Sequence, residues 1–136
     1  MDEAKSWLHT PWHHLQALKG PGGGVDCAQF LRMVYINVGL APYFETESYP
    51  HDWMMHRDEE RFLKYIETYM CAIEVPGPGD AAVWLHGRCF SHGSIVLDWP
   101  LMIHAYRKER QVSISDATKE RFADCAVKFY TPKRIT

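Results

Sequence analysis

The sequence predicts an α+β fold in a single domain spanning residues 1–136, with a mostly antiparallel sheet. Three observations support this prediction. The apolar residues of the first half recur at helical spacing, whereas those of the second half alternate, as in strands. The change follows a Gly/Pro-rich segment, residues 75–79. Helices followed by strands, in a chain long enough for one core, indicate an α+β domain.

The first half begins with a predicted short helix, Asp2–His9, followed by a loop, Trp12–Val25, that is rich in glycine. A longer helix is predicted from Cys27, because Asp26 is a favourable N-cap residue and Gly39 a favourable stop. Its apolar face comprises Phe30, Leu31, Val34, Tyr35 and Val38.

A second helix is predicted over Asp58–Met70, since acidic residues fill its first turn and an apolar face follows. The alternating part of the chain then predicts five strands and one short helix near Asp116–Phe122. The predicted strands are Asp80–His86, His92–Asp98, Leu101–Tyr106, Gln111–Ile114 and Asp124–Tyr130.

Charge and hydropathy exclude several classes of partner. The net charge is −2 and no Lys/Arg cluster occurs, so the sequence shows no basic region of the kind that binds nucleic acid. No apolar run is long enough for a membrane span. The N-terminal residues 1–5 are acidic and no apolar segment follows, so we expect synthesis in the cytoplasm without a signal peptide.

The four cysteines form no close pair, which argues against a disulfide scaffold. Two segments have ligand-like spacing, Cys89 with His92 and His9 with His13, but a tetrahedral zinc site needs four convergent ligands. We therefore expect no metal and no other cofactor.

Cys27 is the strongest candidate for a nucleophile. It opens a predicted helix, and a helix N-terminus or a neighbouring imidazole lowers the pKa of a thiol. The alternative is a buried structural cysteine, the usual state of a free cysteine. We assign Cys71 and Cys125 to that alternative, whereas Cys89 lies near His92 but lacks a helix terminus.

Two histidines are candidates for a base and an orienting group. His92 and His104 are equidistant from Asp98, which lies in the turn segment Leu97–Pro100. A hairpin folded about Asp98 would place the two imidazoles directly opposite each other on one face of the sheet. A thiol with a base and an orienter is the arrangement of a cysteine hydrolase.

Four segments together resemble the NlpC family of bacterial cell-wall cysteine peptidases. The segment containing the candidate nucleophile resembles the family's G-[hydrophobic]-D-C motif, and the other three resemble its P-G-D strand, its H-[V/A]-[G/A]-I strand and its I-H-A strand. In that order they are Gly24–Phe30, Pro78–Val83, Ser91–Leu97 and Ile103–Ala105. The resemblance implies a papain-like core in which the nucleophile helix packs on the sheet.

By position, the resemblance implies that Cys27 is the nucleophile, His92 the base and His104 the orienter. The implied substrate is the peptide stem of peptidoglycan, cut next to a D-glutamyl residue. Segments Pro11–Gln16 and Tyr49–Glu60 resemble the phage and prophage tail-associated branch. We therefore expect phage tail proteins as partners and a virion-associated enzyme that acts at the cell wall.

Three further residues are expected to contact substrate. Gln29 stands where the family commonly has a small residue, so it would crowd or re-line the pocket. Trp12 is expected to form a wall of the substrate cleft. His13 lies beside it and could line the same cleft.

Two rival functions remain open from the sequence. The first is a non-catalytic tail-tip assembly module with the same fold. The second is an amidase or acyltransferase that acts on lipid or protein amides outside the cell wall.

Overall fold

The computed structural model describes residues 2–46 and 61–133. Within these residues, three helices and a short ribbon accompany a six-stranded sheet. The helices are α1 (Asp2–Lys5), α2 (Cys27–Asn37) and α3 (Arg61–Tyr69). The ribbon pairs β1 (Ala17–Leu18) with β2 (Gly24–Val25). The sheet strands are β3 (Met70–Ile73), β4 (Ala81–His86), β5 (Cys89–Asp98), β6 (Leu101–Tyr106), β7 (Gln111–Asp116) and β8 (Val127–Pro132), and the 3₁₀ turns are Arg107–Glu109 and Glu120–Asp124.

The sheet has the strand order β3-β8-β4-β5-β6-β7, and each neighbouring pair is antiparallel. This arrangement confirms the predicted α+β class. Within the described residues, none of the helices has the length and apolar character needed to cross a membrane.

Helix α2 begins and ends where the sequence predicts. Asp26 is its N-cap, and one carboxylate oxygen accepts a hydrogen bond from the Gln29 N–H at 2.9 Å. The other oxygen accepts the Leu15 N–H at 2.8 Å, which ties the preceding loop to the helix. Gly39 follows the helix with φ of +77°, a conformation that glycine adopts at little cost.

Several predicted boundaries are wrong. Helix α1 ends at Lys5 and turns follow, because His9 adopts a φ of +70° and donates its N–H to the carbonyl of Val112. The predicted loop Trp12–Val25 contains the β1–β2 ribbon. The predicted start of the second helix, at Asp58, lies outside the described residues.

The sequence also misses strand β3. The helical pattern includes Met70, but this residue opens β3 and pairs with Pro132 of β8. Its apolar side chain extends the helical pattern, so local spacing does not reveal the change of structure. Three other elements are displaced from their predicted ranges: β5 begins earlier, at Cys89, β8 is Val127–Pro132, and the short helix is the 3₁₀ turn Glu120–Asp124.

The two faces of the sheet carry separate clusters of buried residues. On one face α2 and α3 pack against the sheet, and α1 contacts α2. Gly93 of β5 allows this approach, since a Cβ there would lie 2.6 Å from Phe62 and 2.9 Å from Leu31. The opposite face is covered by the 3₁₀ turn that carries Phe122. Its cluster comprises Ala82, Trp84, Val96, Met102, Tyr106, Ala117 and Phe122.

Candidate active site

Cys27 lies at the start of α2, with its thiol against the backbone of β5. The S–H group donates to the carbonyl oxygen of Ser91 at 3.5 Å. The backbone N–H groups of Gly93, Ala28 and Cys27 are directed at the sulfur. The thiol therefore contacts the strand immediately before and immediately after His92.

The thiol can reach this position because the part of β5 that carries Ser91 and Gly93 is not paired with β6. The pairing of β5 with β6 runs from Asp98–Leu101 to Ile95–Ile103 and ends there. In a strand, the backbone carbonyl and N–H groups of every second residue point to the same edge. The backbone groups of Ser91 and Gly93 therefore both point to the edge of β5 that faces β6. The helix terminus occupies this edge in place of a strand.

The thiol is not a preformed thiolate, contrary to the sequence-based expectation. Burial, together with the neighbouring Asp26 carboxylate, raises the pKa of Cys27 to about 12. The backbone N–H groups lower this pKa, but their effect is smaller. The N-cap residue that defines the helix start therefore places a negative charge beside the nucleophile. Removal of the thiol proton at neutral pH requires a base.

His92 and His104 form the predicted contact on one face of adjacent antiparallel strands. The His92 Nε2 and His104 Nδ1 atoms are 2.7 Å apart, and the rings meet at an angle of 72°. Both rings pack against Phe122, on the face opposite the helices.

The predicted register of this pair is wrong by two residues. The hairpin closes through Trp99 and Pro100, because Asp98 pairs with Leu101 and Val96 with Met102. A bulge separates these two pairs. Continued along the strands, this register places His104 diagonally from His92. Diagonal neighbours remain within reach of long ring side chains, which preserves the contact.

His104 is fully buried and holds a second hydrogen bond. Its Nε2 lies 2.8 Å from the Ser115 Oγ of β7. Burial, and to a lesser extent the charge of nearby His86, lowers the pKa of His104 to about 3. His104 is therefore neutral across the physiological range and carries one ring proton. If that proton is on Nε2 and donated to Ser115, Nδ1 accepts a hydrogen bond from His92.

Ser115 lies outside the strand that the sequence predicts, because that strand stops at Ile114. It pairs with Met102, and Ser113 pairs with His104, so both serines lie on the face of the imidazoles. The Ser113 Oγ is buried and has no hydrogen-bond partner among the described residues. The alternating S-x-S pattern marks this face, but only the register distinguishes the two serines.

Of the three residues predicted to contact substrate, Gln29 has structural contacts. It is 4% exposed, accepts from Arg32 Nη1 at 2.9 Å and donates to Thr46 Oγ1 at 2.8 Å. Gln29 therefore ties Thr46 to α2. A role for Gln29 in substrate binding remains a prediction that its burial disfavours.

Trp12 and His13 both contact Val25, which lies two residues before the nucleophile. Trp12 forms a parallel bridge with Val25, two residues before Cys27, and the Arg107 guanidinium lies 5.7 Å from its ring centre. His13 is exposed and donates its N–H to the carbonyl of Val25 at 3.1 Å. Contact of Trp12 and His13 with substrate remains a prediction.

Cys71 and Cys125 differ from the expectation that they are buried. Cys71 is exposed on β3, and Cys125 is partly exposed after the second 3₁₀ turn. Cys89 is buried. All four cysteines are free thiols. Within residues 2–46 and 61–133, no three His, Cys, Asp or Glu side chains are placed to share a metal ion.

Comparison with solved structures supports the fold. The crystal structure of the NlpC/p60 domain of the peptidoglycan hydrolase SagA superposes with a TM-score of 0.59. The match has 20% sequence identity and covers 97% of this chain and 94% of that domain. No protein-family model matches the sequence, and no curated protein matches it significantly. The chain therefore has the papain-like α+β fold of an NlpC/p60 domain.

Proposed function

We propose that this protein is a cysteine hydrolase that cleaves an amide bond by acyl transfer. The observation that carries the proposal is the junction at β5. The Cys27 thiol contacts the backbone on both sides of His92, and His92 is hydrogen-bonded to a buried, neutral His104. This arrangement supports the assignment of a nucleophile, a base and an orienting group to one helix and two strands.

In the first step, His92 removes the Cys27 proton and the sulfur attacks the amide carbonyl carbon. Because His104 engages Nε2 of His92, the proton passes to Nδ1. The backbone N–H of Cys27 is a candidate donor to the oxyanion of the tetrahedral intermediate. The intermediate collapses as His92 returns the proton to the leaving nitrogen. The C–N bond breaks and a thioester remains on Cys27.

Water completes the cycle. His92 accepts a proton from a water molecule, whose oxygen attacks the thioester carbon. The C–S bond breaks, the acid product leaves, and the sulfur recovers a proton from His92. His104 serves both steps by accepting the Nε2–H of the His92 imidazolium, and Ser115 holds the His104 tautomer that this requires.

The proposed substrate is a peptidoglycan stem peptide, cleaved next to a D-glutamyl residue. The four motif segments support this assignment, as does the fold shared with a domain of a peptidoglycan hydrolase. The chemistry at Cys27 applies to any amide, so the substrate depends on the resemblance and requires a direct assay.

We further propose that the enzyme acts as a phage or prophage tail-associated component. The support is the resemblance of Pro11–Gln16 and Tyr49–Glu60 to that branch; the second segment lies outside the described residues. Attachment to a tail would raise the local enzyme concentration at the wall by orders of magnitude. The isolated protein should cleave soluble stem peptides and lyse intact cells poorly. Efficient lysis by the isolated protein would contradict tail delivery.

The test of the hydrolase proposal is incubation with purified stem-peptide fragments, analysed by mass spectrometry. The expected result is a product pair separated at the D-glutamyl linkage, which the Cys27→Ala variant does not generate. Folded protein with a reduced Cys27 that leaves each fragment intact would contradict the proposal and favour a non-catalytic assembly module. Cleavage of other amides, with the stem peptides left intact, would show that the substrate is not a cell-wall peptide.

A further inference from the structure

A third imidazole stacks on the proposed base. The rings of His86 and His92 are nearly parallel, with an interplanar angle of 8° and centres 5.0 Å apart. This spacing falls within the range of offset-stacked aromatic pairs. His86 is the last residue of β4, and it has no role in the catalytic steps proposed for Cys27 and His92.

A β-bulge brings His86 to this position. Trp84 pairs with His92, but the next pair is Leu85 with Phe90, so Ser91 is the extra residue. The Ser91 hydroxyl donates to the carbonyl of His86 at 3.1 Å. The Ser91 carbonyl accepts the Cys27 thiol. One bulged residue therefore connects the nucleophile, the strand that carries the base and the residue stacked on the base.

The remaining surroundings of His92 are aromatic. Phe122 lies 5.8 Å from the centres of both the His86 and His92 rings, and Tyr106 lies 5.4 Å from His92. His104 holds one edge of the ring through Nε2. A hydrogen bond at the edge of the His92 ring does not prevent the ring from rotating about that bond. A second ring stacked on the face of His92 opposes this rotation.

We propose that His86 is a positioning residue for His92. Its flat ring fixes the plane of the His92 imidazole, so that Nδ1 faces the Cys27 thiol while Nε2 faces His104. This role deepens the proposed cysteine hydrolase function and depends on it.

The test compares His86→Phe, His86→Leu and His86→Ala, with His92→Ala as the reference for a lost base. His9→Asn is the control, because His9 is exposed and asparagine tolerates its positive φ. The readout is the rate of Cys27 alkylation by iodoacetamide at pH 7, measured on the mapped peptide, which needs no substrate. Where stem peptides are cleaved, kcat and KM are measured as well.

We expect His86→Phe and His9→Asn to react within about twofold of the wild type. We expect His86→Leu and His86→Ala to react about three- to tenfold more slowly, which is the effect of losing one aromatic pair. The same loss should appear in kcat with KM unchanged. Leucine fills similar space without a flat face, so the difference between Phe and Leu separates stacking from packing.

The other outcomes overturn specific parts of the argument. If His92→Ala slows alkylation but the Leu and Ala variants of His86 do not, His86 has no positioning role and the hydrolase proposal stands. If His86→Leu matches His86→Phe in rate, stacking is excluded. If His92→Ala reacts as fast as the wild type, the proposed base is wrong, and the role of His86 fails with it.

Discussion

The two faces of the six-stranded sheet contribute different parts of the site. The helical face is apolar and supplies the nucleophile at the start of α2. The opposite face carries hydrogen-bonded and stacked imidazoles beneath Phe122. His92 and Gly93 are consecutive and point to opposite faces, one toward the imidazoles and the other toward the helices. The proposed chemistry takes place at the strand edge where the Cys27 thiol contacts the backbone on either side of His92.

The largest expected effect comes from removing either partner of this junction. Cys27→Ala should abolish hydrolysis, and His92→Ala should lower kcat on the order of 10²- to 10⁴-fold, the range for a lost general base. Because the two residues act as a unit, the double variant should be no worse than Cys27→Ala alone. Steady-state assays on stem peptides measure this. A His92→Ala variant with wild-type kcat would refute the proposed connection between the faces.

The next effect concerns the imidazole pair alone. His104→Ala should lower kcat about 10- to 100-fold, because a hydrogen bond to a charged ring contributes about 1.5–3 kcal/mol. Water can replace an orienting group in part but cannot replace the base. The comparison uses kcat of the two single variants, with folding checked by circular dichroism. Equal damage from His104→Ala and His92→Ala in folded proteins would reverse the two roles.

The buried His104 also makes the stability of this face sensitive to acid. The unfolded chain protonates His104 near the ordinary histidine pKa of 6.5, whereas the folded chain does so only near pH 3. Between these values the unfolded state binds the extra proton, so the free energy of unfolding falls as pH falls, by about 1.4 kcal/mol per pH unit. Urea denaturation at pH 7 and pH 5 should show a larger loss for the wild type than for His104→Asn. Equal losses would contradict the assignment of a neutral His104.

The smallest effect distinguishes two serines on the same strand. Ser115→Ala should lower kcat about fivefold, the equivalent of a neutral hydrogen bond of about 1 kcal/mol. Ser113→Ala is the matched control and should leave kcat unchanged, because its buried Oγ has no hydrogen-bond partner among the described residues. Kinetics of both variants on one substrate provide the measurement. If the two variants lose activity equally, Ser115 does not hold the His104 tautomer.

The sequence predicts those features of the two faces that depend on local spacing. Asp26 and Gly39 delimit α2 through capping chemistry that acts within one turn. The contact of His92 with His104 follows from an even separation, which keeps both on one face even though the register differs from the prediction. The prediction that both imidazoles lie on one face is therefore correct even though the predicted pairing of His92 directly opposite His104 is wrong.

Features that depend on three-dimensional pairing do not follow from local spacing. Strand β3 is defined by its distant partner β8, and its first residue, Met70, continues a helical pattern. The stacking of His86 requires the bulge at Ser91, and the role of Ser115 requires the β6–β7 register. The raised pKa of Cys27 reflects burial and the adjacent Asp26 charge, which oppose the effect of the helix terminus.

The most direct test of the central claim is the pH dependence of Cys27 alkylation in the wild type and in His92→Ala. A Cys71→Ser background removes the exposed thiol, and peptide mapping resolves the others. The wild type should react at neutral pH because His92 accepts the thiol proton. The His92→Ala protein should react only at strongly alkaline pH, because burial and the Asp26 charge raise the pKa of Cys27 far above neutrality. Identical profiles would show that the helix terminus alone activates Cys27 and would contradict a site shared between the two faces.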